Sequence, residues 1–355
     1  MTHPEIAQHR LRNQQITHTS FQTASDIVGW LGAVQAQDYA MAKYAVGLRL
    51  PIATDDIIEQ AIDNAHIIRT HILRPTWHFV AADDVYWMLE LSAPQILRLL
   101  ATNDHKLGLD AALFTRSNDV IAKALEGGKY LTREELMLEL EKAGIATDPS
   151  RAVHFMMTAE LMGIVCNGVR RGKQFTYALL AERVPNKKLL HRDEALAALA
   201  LRYFTSHGPA TVHDFSWWSG LSVTEARKGL AAIQADLSNE TIQGKTYYFS
   251  PNIINASESI YLLPAFDEFM VSYRDRSASL DPAFAKEPIT SNGIFKPIIV
   301  VNGRVVGVWK RTLQKNSVLI EPAYFNAADR LSEDALHAAA LPFGEFLELP
   351  VEIRA

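Results

Sequence analysis

A single cysteine, Cys166, in 355 residues excludes an internal disulfide and any site built from several thiolates. No apolar run reaches the ~20 residues that a membrane helix needs. The opening stretch, MTHPEIAQHRLRNQQ, lacks the apolar core of a signal peptide. The expected setting is therefore a reduced cytoplasm, away from any membrane. There is no P-loop, GxGxxG, GxSxG or HExxH signature. His66 and His71 flank Arg69, but no second cluster is spaced to complete a metal site, so neither metal nor cofactor is expected. An excess of basic charge is missing too. The net charge of −5 argues against coating nucleic acid by bulk attraction.

Local charge tells a different story. Residues 111–190 hold 12 Lys and Arg against 9 Asp and Glu, whereas residues 1–110 hold 8 against 12. The first of these segments contains the tight group Arg170, Arg171 and Lys173. At 48% hydrophobic and 21% charged residues, the chain has the composition of a folded protein with room for several modules.

Periodicity and capping signals divide it. In residues 1–110, helices are expected over 5–15, from Ser25, and after Thr54 with its acidic first turn. Two apolar runs around Ile67 and Trp77 then read as a hairpin, with Pro75 demoting one strand to an edge, and a helix follows over 83–100. Residues 111–190 repeat that order. A helix is expected over 118–126, a second opens with the capping box Thr132 and Glu135, and a third runs over 149–162 to Gly163. A hairpin turns through Arg170, Arg171 and Lys173. Residues 191–255 repeat it again, with caps at Thr211 and Ser222 and a hairpin over 241–249. Trp217 and Trp218 read as core there. Three helices followed by a two-stranded wing is the winged-helix form of the helix-turn-helix. From residue 256 strands dominate. KPIIVVNGRVVGVW is a hairpin with Asn302-Gly303 at its tip, and a helix is expected over 327–340 between further strands. The expected fold is α+β: winged-helix modules at 1–110, 111–190 and 191–255, then a small antiparallel β-barrel at 256–355.

One segment does not fit a regular element. Ile27, Trp30, Leu31 and Val34 share a helical face, but the next residues are Gln35-Ala36-Gln37-Asp38. Residues i and i+2 of a helix point ~200° apart, so Gln35 and Gln37 act together only where the helix ends or unwinds. Two neutral amides beside a carboxylate make either a polar loop or a site.

That run, with Tyr44-Ala45-Val46-Gly47-Leu48-Arg49, resembles the catalytic region of the AlkZ/YcaQ family of winged-helix DNA glycosylases, in its Gln-apolar-Gln form. Further stretches share the likeness: Arg74 to Val80, Leu262 to Phe269, Tyr273 to Ser277, and Val301 to Gly307. The resemblance implies a DNA repair enzyme that hydrolyses the N-glycosidic bond of N7-alkylated purines, including bulky adducts and crosslinks, in double-stranded DNA. An N7-alkylated purine already carries positive charge and leaves without a general acid. What remains is to hold a water below C1′ and stabilise a sugar cation, which amide oxygens can do. On this reading Gln37 positions the water and Gln35 assists, with His78 and Asp38 as possible support. Arg170, Arg171 and Lys173 at a wing tip, and Arg304, Lys310 and Arg311 on the barrel hairpin, are expected to touch DNA. Residues 266–276 read as structural. The protein is expected to act as a monomer. The alternative from the same modules is a transcriptional regulator without catalysis, which a dimer and a palindromic site would mark.

Overall fold

The computed structural model describes residues 1–251 and 258–354. Its first segment runs α1 (His3–Asn13), α2 (Ala24–Leu31), β1 (Val34–Gln35), α3 (Tyr39–Gly47), α4 (Asp55–Asp63), β2 (Ile67–His71), β3 (Trp77–Ala81) and α5 (Val85–Lys106). Thr2, Thr23, Asp38 and Thr54 each accept the backbone N–H three residues ahead, so helices α1 to α4 each begin at a side-chain cap. The simple order of three helices and a hairpin is broken here, because β1 and α3 intervene. Pro75 does not push its strand to an edge. It lies in the connection between β2 and β3, and β3 is the central strand of a sheet ordered β1-β3-β2. Its N–H groups are free to pair because the proline precedes the strand.

The second segment is α6 (Ala111–Leu125), β4 (Leu131–Thr132), α7 (Arg133–Lys142), α8 (Pro149–Leu161), β5 (Val165–Asn167), β6 (Thr176–Leu179) and the short α9 (Leu180–Arg183). Helix α6 begins well before residue 118, because Asp110 caps it. The third is α10 (Arg192–Ser206), α11 (Val212–Ser219), α12 (Val223–Ile233), β7 (Ser238–Ile242) and β8 (Lys245–Phe249). Three helices and a hairpin thus recur in order in both. The boundary expected after residue 255 falls at 252–257, outside the described residues.

The last segment holds β9 (Ile260–Leu263), α13 (Glu268–Val271), β10 (Ile298–Val301), β11 (Arg304–Leu313), β12 (Val318–Tyr324), α14 (Glu333–Leu347) and β13 (Val351–Ile353). One five-stranded sheet is ordered β13-β12-β11-β10-β9. An all-antiparallel barrel was expected, but β13 pairs with β12 in parallel. Helix α14 supplies the crossover that a parallel pair requires. The end strands β9 and β13 do not pair with each other among the described residues, so the sheet stays open. No helix among the described residues is long and apolar enough to cross a membrane.

The cores ignore the order of segments. Ile27, Leu31, Met41 and Tyr44 pack with Ile299, Trp309, Ile320 and Phe343, so the first helices and the last sheet share one apolar cluster. A second joins Ile68, Val80 and Trp87 to Tyr203, Phe215 and Trp218. Of the paired tryptophans, Trp218 is fully buried, but Trp217 is 44% exposed and donates its indole N–H to Val271 O.

Candidate active site

Helix α2 stops because Gly32 takes φ +82°, ψ −52°, a conformation that excludes further helix and disfavours any side chain. The chain then extends, and Val34 and Gln35 pair with Phe79 and His78 of β3. The Ala36 N–H donates to Trp77 O at 2.7 Å, which carries the pairing one residue further. Alternation along the extended backbone places Val34 and Ala36 on one side, both fully buried, and Gln35 on the other; β1 ends at Gln35, and the chain bends at Gln37. Gln35 is 6% exposed, whereas Gln37 is exposed. Asp38 turns the chain into α3 by capping it, its Oδ1 accepting the Met41 N–H at 3.1 Å.

Three charged residues fix this segment. Glu268 accepts the Gln35 backbone N–H at 2.8 Å on Oε1. Its Oε2 accepts the Trp218 indole N–H at 3.1 Å and the Ser272 hydroxyl, and His207 Nε2 stands 3.7 Å away. Burial alone would raise the carboxyl pKa. His207, Ser272 and the Gln35 N–H outweigh that and hold it down to about 2. Arg69 donates from Nε and Nη2 to Ala36 O at 3.3 and 3.1 Å. Arg74 donates from Nη2 to Gln35 Oε1 at 2.9 Å. The Gln35 oxygen is therefore engaged. Among the described residues, Gln37 Oε1 meets only the Trp77 backbone N–H, at a long 3.5 Å.

His78 sits directly across the strand from Gln35, with Thr70 on its far side. It is fully buried and hydrogen-bonded through Nδ1 to Thr76 O at 2.9 Å, so Nδ1 carries the proton. Burial, with Arg74 adding to it, pushes its pKa down to about 3, and the ring is neutral. Its Nε2 and the Thr70 hydroxyl are buried without a hydrogen-bond partner among the described residues.

The expected DNA-contacting residues scatter. Arg311 reaches Asp38 Oδ2 at 3.6 Å, which brings the end of β11, with Lys310 beside it, next to the amide segment. Arg304 lies at the other end of β11, about 23 Å away at ~3.3 Å per residue. It is ion-paired with Asp329. The hairpin tip there is seated on α1, since a Cβ on Gly303 would lie 2.8 Å from the Ala7 side chain. Arg170 pairs with Glu59 at 3.7 Å and Arg171 with Glu135 at 2.8 Å, while Lys173 lines a cavity beside Trp77.

Glu268, Arg69 and Arg74 escape a reading of the sequence. A faint signal exists for two of them: Arg69 interrupts the apolar run IIRTH, and Asp267-Glu268 lies between Phe266 and Phe269. Charges in such positions are buried and paired, or functional.

Comparison with known proteins gives a consistent outcome. The family model described as DNA glycosylase AlkZ-like matches residues 28–346. The interstrand DNA cross-link repair glycosylase of Streptomyces sahachiroi is 25% identical over 318 residues, 85% of each chain. The solved structure of Streptomyces sahachiroi DNA glycosylase AlkZ superposes with a TM-score of 0.83 over the whole of both chains at 22% identity.

Proposed function

The chain belongs to the AlkZ-like DNA glycosylase family, enzymes that hydrolyse N-glycosyl bonds in DNA, and from that premise we propose that it excises purines alkylated at N7, by attack of a water that Gln37 positions. The observation that carries this is the split between the two amides. The Gln35 oxygen is taken by Arg74, whereas Gln37, two residues on at the bend that follows the anchored strand, is open to solvent. An amide can neither give nor take a proton, so such a site suits a leaving group that needs none donated and a cationic sugar that water attacks without a strong base. The base departs neutral with the bonding electrons of C1′–N9, the water oxygen bonds to C1′, and its proton passes to solvent. Gln35 supports the segment, and neutral His78 packs behind it. Asp38 is the helix cap beside Arg311.

The partner is double-stranded DNA carrying such lesions, met by a monomer. We read residues 111–190 and 191–255 as winged helices, 1–110 as a modified one carrying the amide segment, and 256–355 as the closing sheet. Lys310 and Arg311 meet DNA nearest the lesion, and Lys173 does so from the second module. An exposed amide at a surface tolerates bulky adducts, so crosslinked purines fall within range; the Streptomyces relative is named for interstrand DNA cross-link repair.

The test is release of free 7-methylguanine from DNA treated with a methylating agent. The protein is expected to release it well above the spontaneous rate. Gln37→Ala is expected to lower single-turnover release about 10- to 100-fold, the scale of a lost positioning contact, and Gln35→Ala to lower it less. Release no faster than spontaneous depurination overturns the substrate; release unchanged in both variants overturns the site.

A further inference from the structure

Beside Trp77 lies a cavity of about 410 Å³ whose walls carry three cations, Arg69, Arg133 and Lys173, against one carboxylate, Glu134. Arg133 and Glu134 are 3.9 Å apart and both largely exposed, so they neutralise each other only loosely. Arg69 is different. It is 6% exposed, yet no carboxylate lies within ion-pairing distance of it among the described residues; the negative charge that acts on it most, Glu160, is engaged with His71. Burial lowers its pKa to about 10, which leaves it charged at neutral pH. A buried, charged and unpaired guanidinium is costly unless something else meets it. Its Nε and Nη2 are spent on Ala36 O, while Nη1 has no hydrogen-bond partner among the described residues.

The same geometry says what belongs there. The guanidinium lies 4.0 Å from the Trp77 ring centre and 4.7 Å from that of Phe175, so the faces turned toward Arg69 are taken and offer no platform for a base there. A cationic alkylated purine would be repelled by three positive side chains. An anion fits on both counts, and Arg is the residue suited to bind one while holding a second acceptor. We propose that this cavity is a subsite for a DNA backbone phosphate. Through Arg69, which grips the carbonyl between Gln35 and Gln37, the phosphate is coupled to the amide pair. That coupling rests on the reading of residues 35–37 as the active segment; the subsite itself does not.

A scan with neutral methylphosphonate linkages tests it. Duplexes are made with one phosphate replaced at a time, with and without N7-methylguanine, and binding is measured for the full chain. For the unaltered protein, one linkage near the lesion is expected to cost roughly tenfold in affinity when neutralised, the worth of one charge-assisted hydrogen bond. In Arg133→Gln with Lys173→Gln, exposed changes that leave the core intact, that cost falls to about threefold, the share that Arg69 alone supplies, while others stay, and the salt slope drops by up to about one, as one phosphate is less fully neutralised. A scan that is flat, or the same in both proteins, overturns the subsite. For the coupling, the same neutral linkage is expected to slow excision about tenfold in the unaltered protein and no further in Arg69→Lys; equal slowing in both overturns it. Should no base be released from any duplex, the substrate reading fails, and the binding scan still decides the subsite.

Discussion

A carboxylate with no exposed surface persists in a protein core only when donors surround it, and Glu268 has such donors in Gln35 N–H, Trp218 Nε1 and Ser272 Oγ. Its contact with Gln35 is to the backbone, so it governs where the amide segment lies and not what its side chains are. Glu268→Gln keeps the shape but places an NH₂ against one of these donors. The expected cost is about 1–3 kcal/mol of stability for the unsatisfied pair, seen by denaturant titration. Excision is expected to fall about tenfold while DNA affinity holds within about threefold; a parallel loss of both would make the residue merely structural. His78 gives a different signature. Its pKa is about 3 when folded against an ordinary 6.5, so the unfolded chain takes the proton first. Stability is thus full above pH 6.5 and falls as pH drops from there toward 3, by about 1.4 kcal/mol per unit. Denaturation at pH 7.5, 6 and 5 is expected to show a steeper loss than in His78→Gln, and equal slopes would refute the assignment.

Among the elements, the short strand β1 depends on where α2 ends, and that depends on Gly32. A Cβ there would sit in the left-handed region of φ and 3.2 Å from the Trp218 ring. Gly32→Ala is expected to cost about 1–3 kcal/mol, measured by chemical denaturation, and to slow excision by shifting the start of β1. A change under about 0.5 kcal/mol would mean that the turn adapts. Elements carried by a few neighbouring residues could be read from the sequence: the capping box of Thr132 with Glu135, Gly163 after α8, the turn at Asn302-Gly303. Strand β1 could not, because two residues show no period and their partners lie more than 40 positions ahead. Helix α3 was missed for a related reason. Seven of its nine residues are buried, every one from Met41 onward, the charged Lys43 included through its pairing with Asp55 and Glu59, so the face pattern that marks a surface helix is blurred. The break at Gln35-Ala36-Gln37 was legible as a break; what pins it was not, since Glu268 lies 233 residues away.

Across the whole molecule, Arg49 does for the segments what Glu268 does for the amide strand. It is buried, and it meets Asp267 through two parallel contacts of 2.9 Å each. Its remaining donors reach Gln14 O at 2.8 Å and Ala45 O at 2.7 Å, so the end of α1, helix α3 and the start of α13 converge on one guanidinium. Asp267 caps α13, and the next residue is Glu268. The chain of contacts therefore runs from Arg49 through Asp267 to the residue that holds Gln35. Arg49→Met is expected to cost about 3–5 kcal/mol, since it strands a buried carboxylate. Arg49→Lys should recover only part of that, because an ammonium cannot form the paired contact. The informative comparison adds Asp267→Asn to Arg49→Met. Removing the stranded charge is expected to restore a good share of the stability, read by denaturant titration. Excision stays depressed, because the neutral pair no longer fixes the start of α13. Stability and excision returning together would instead mean that the ion pair serves folding alone and has no bearing on where Glu268 holds the amide strand.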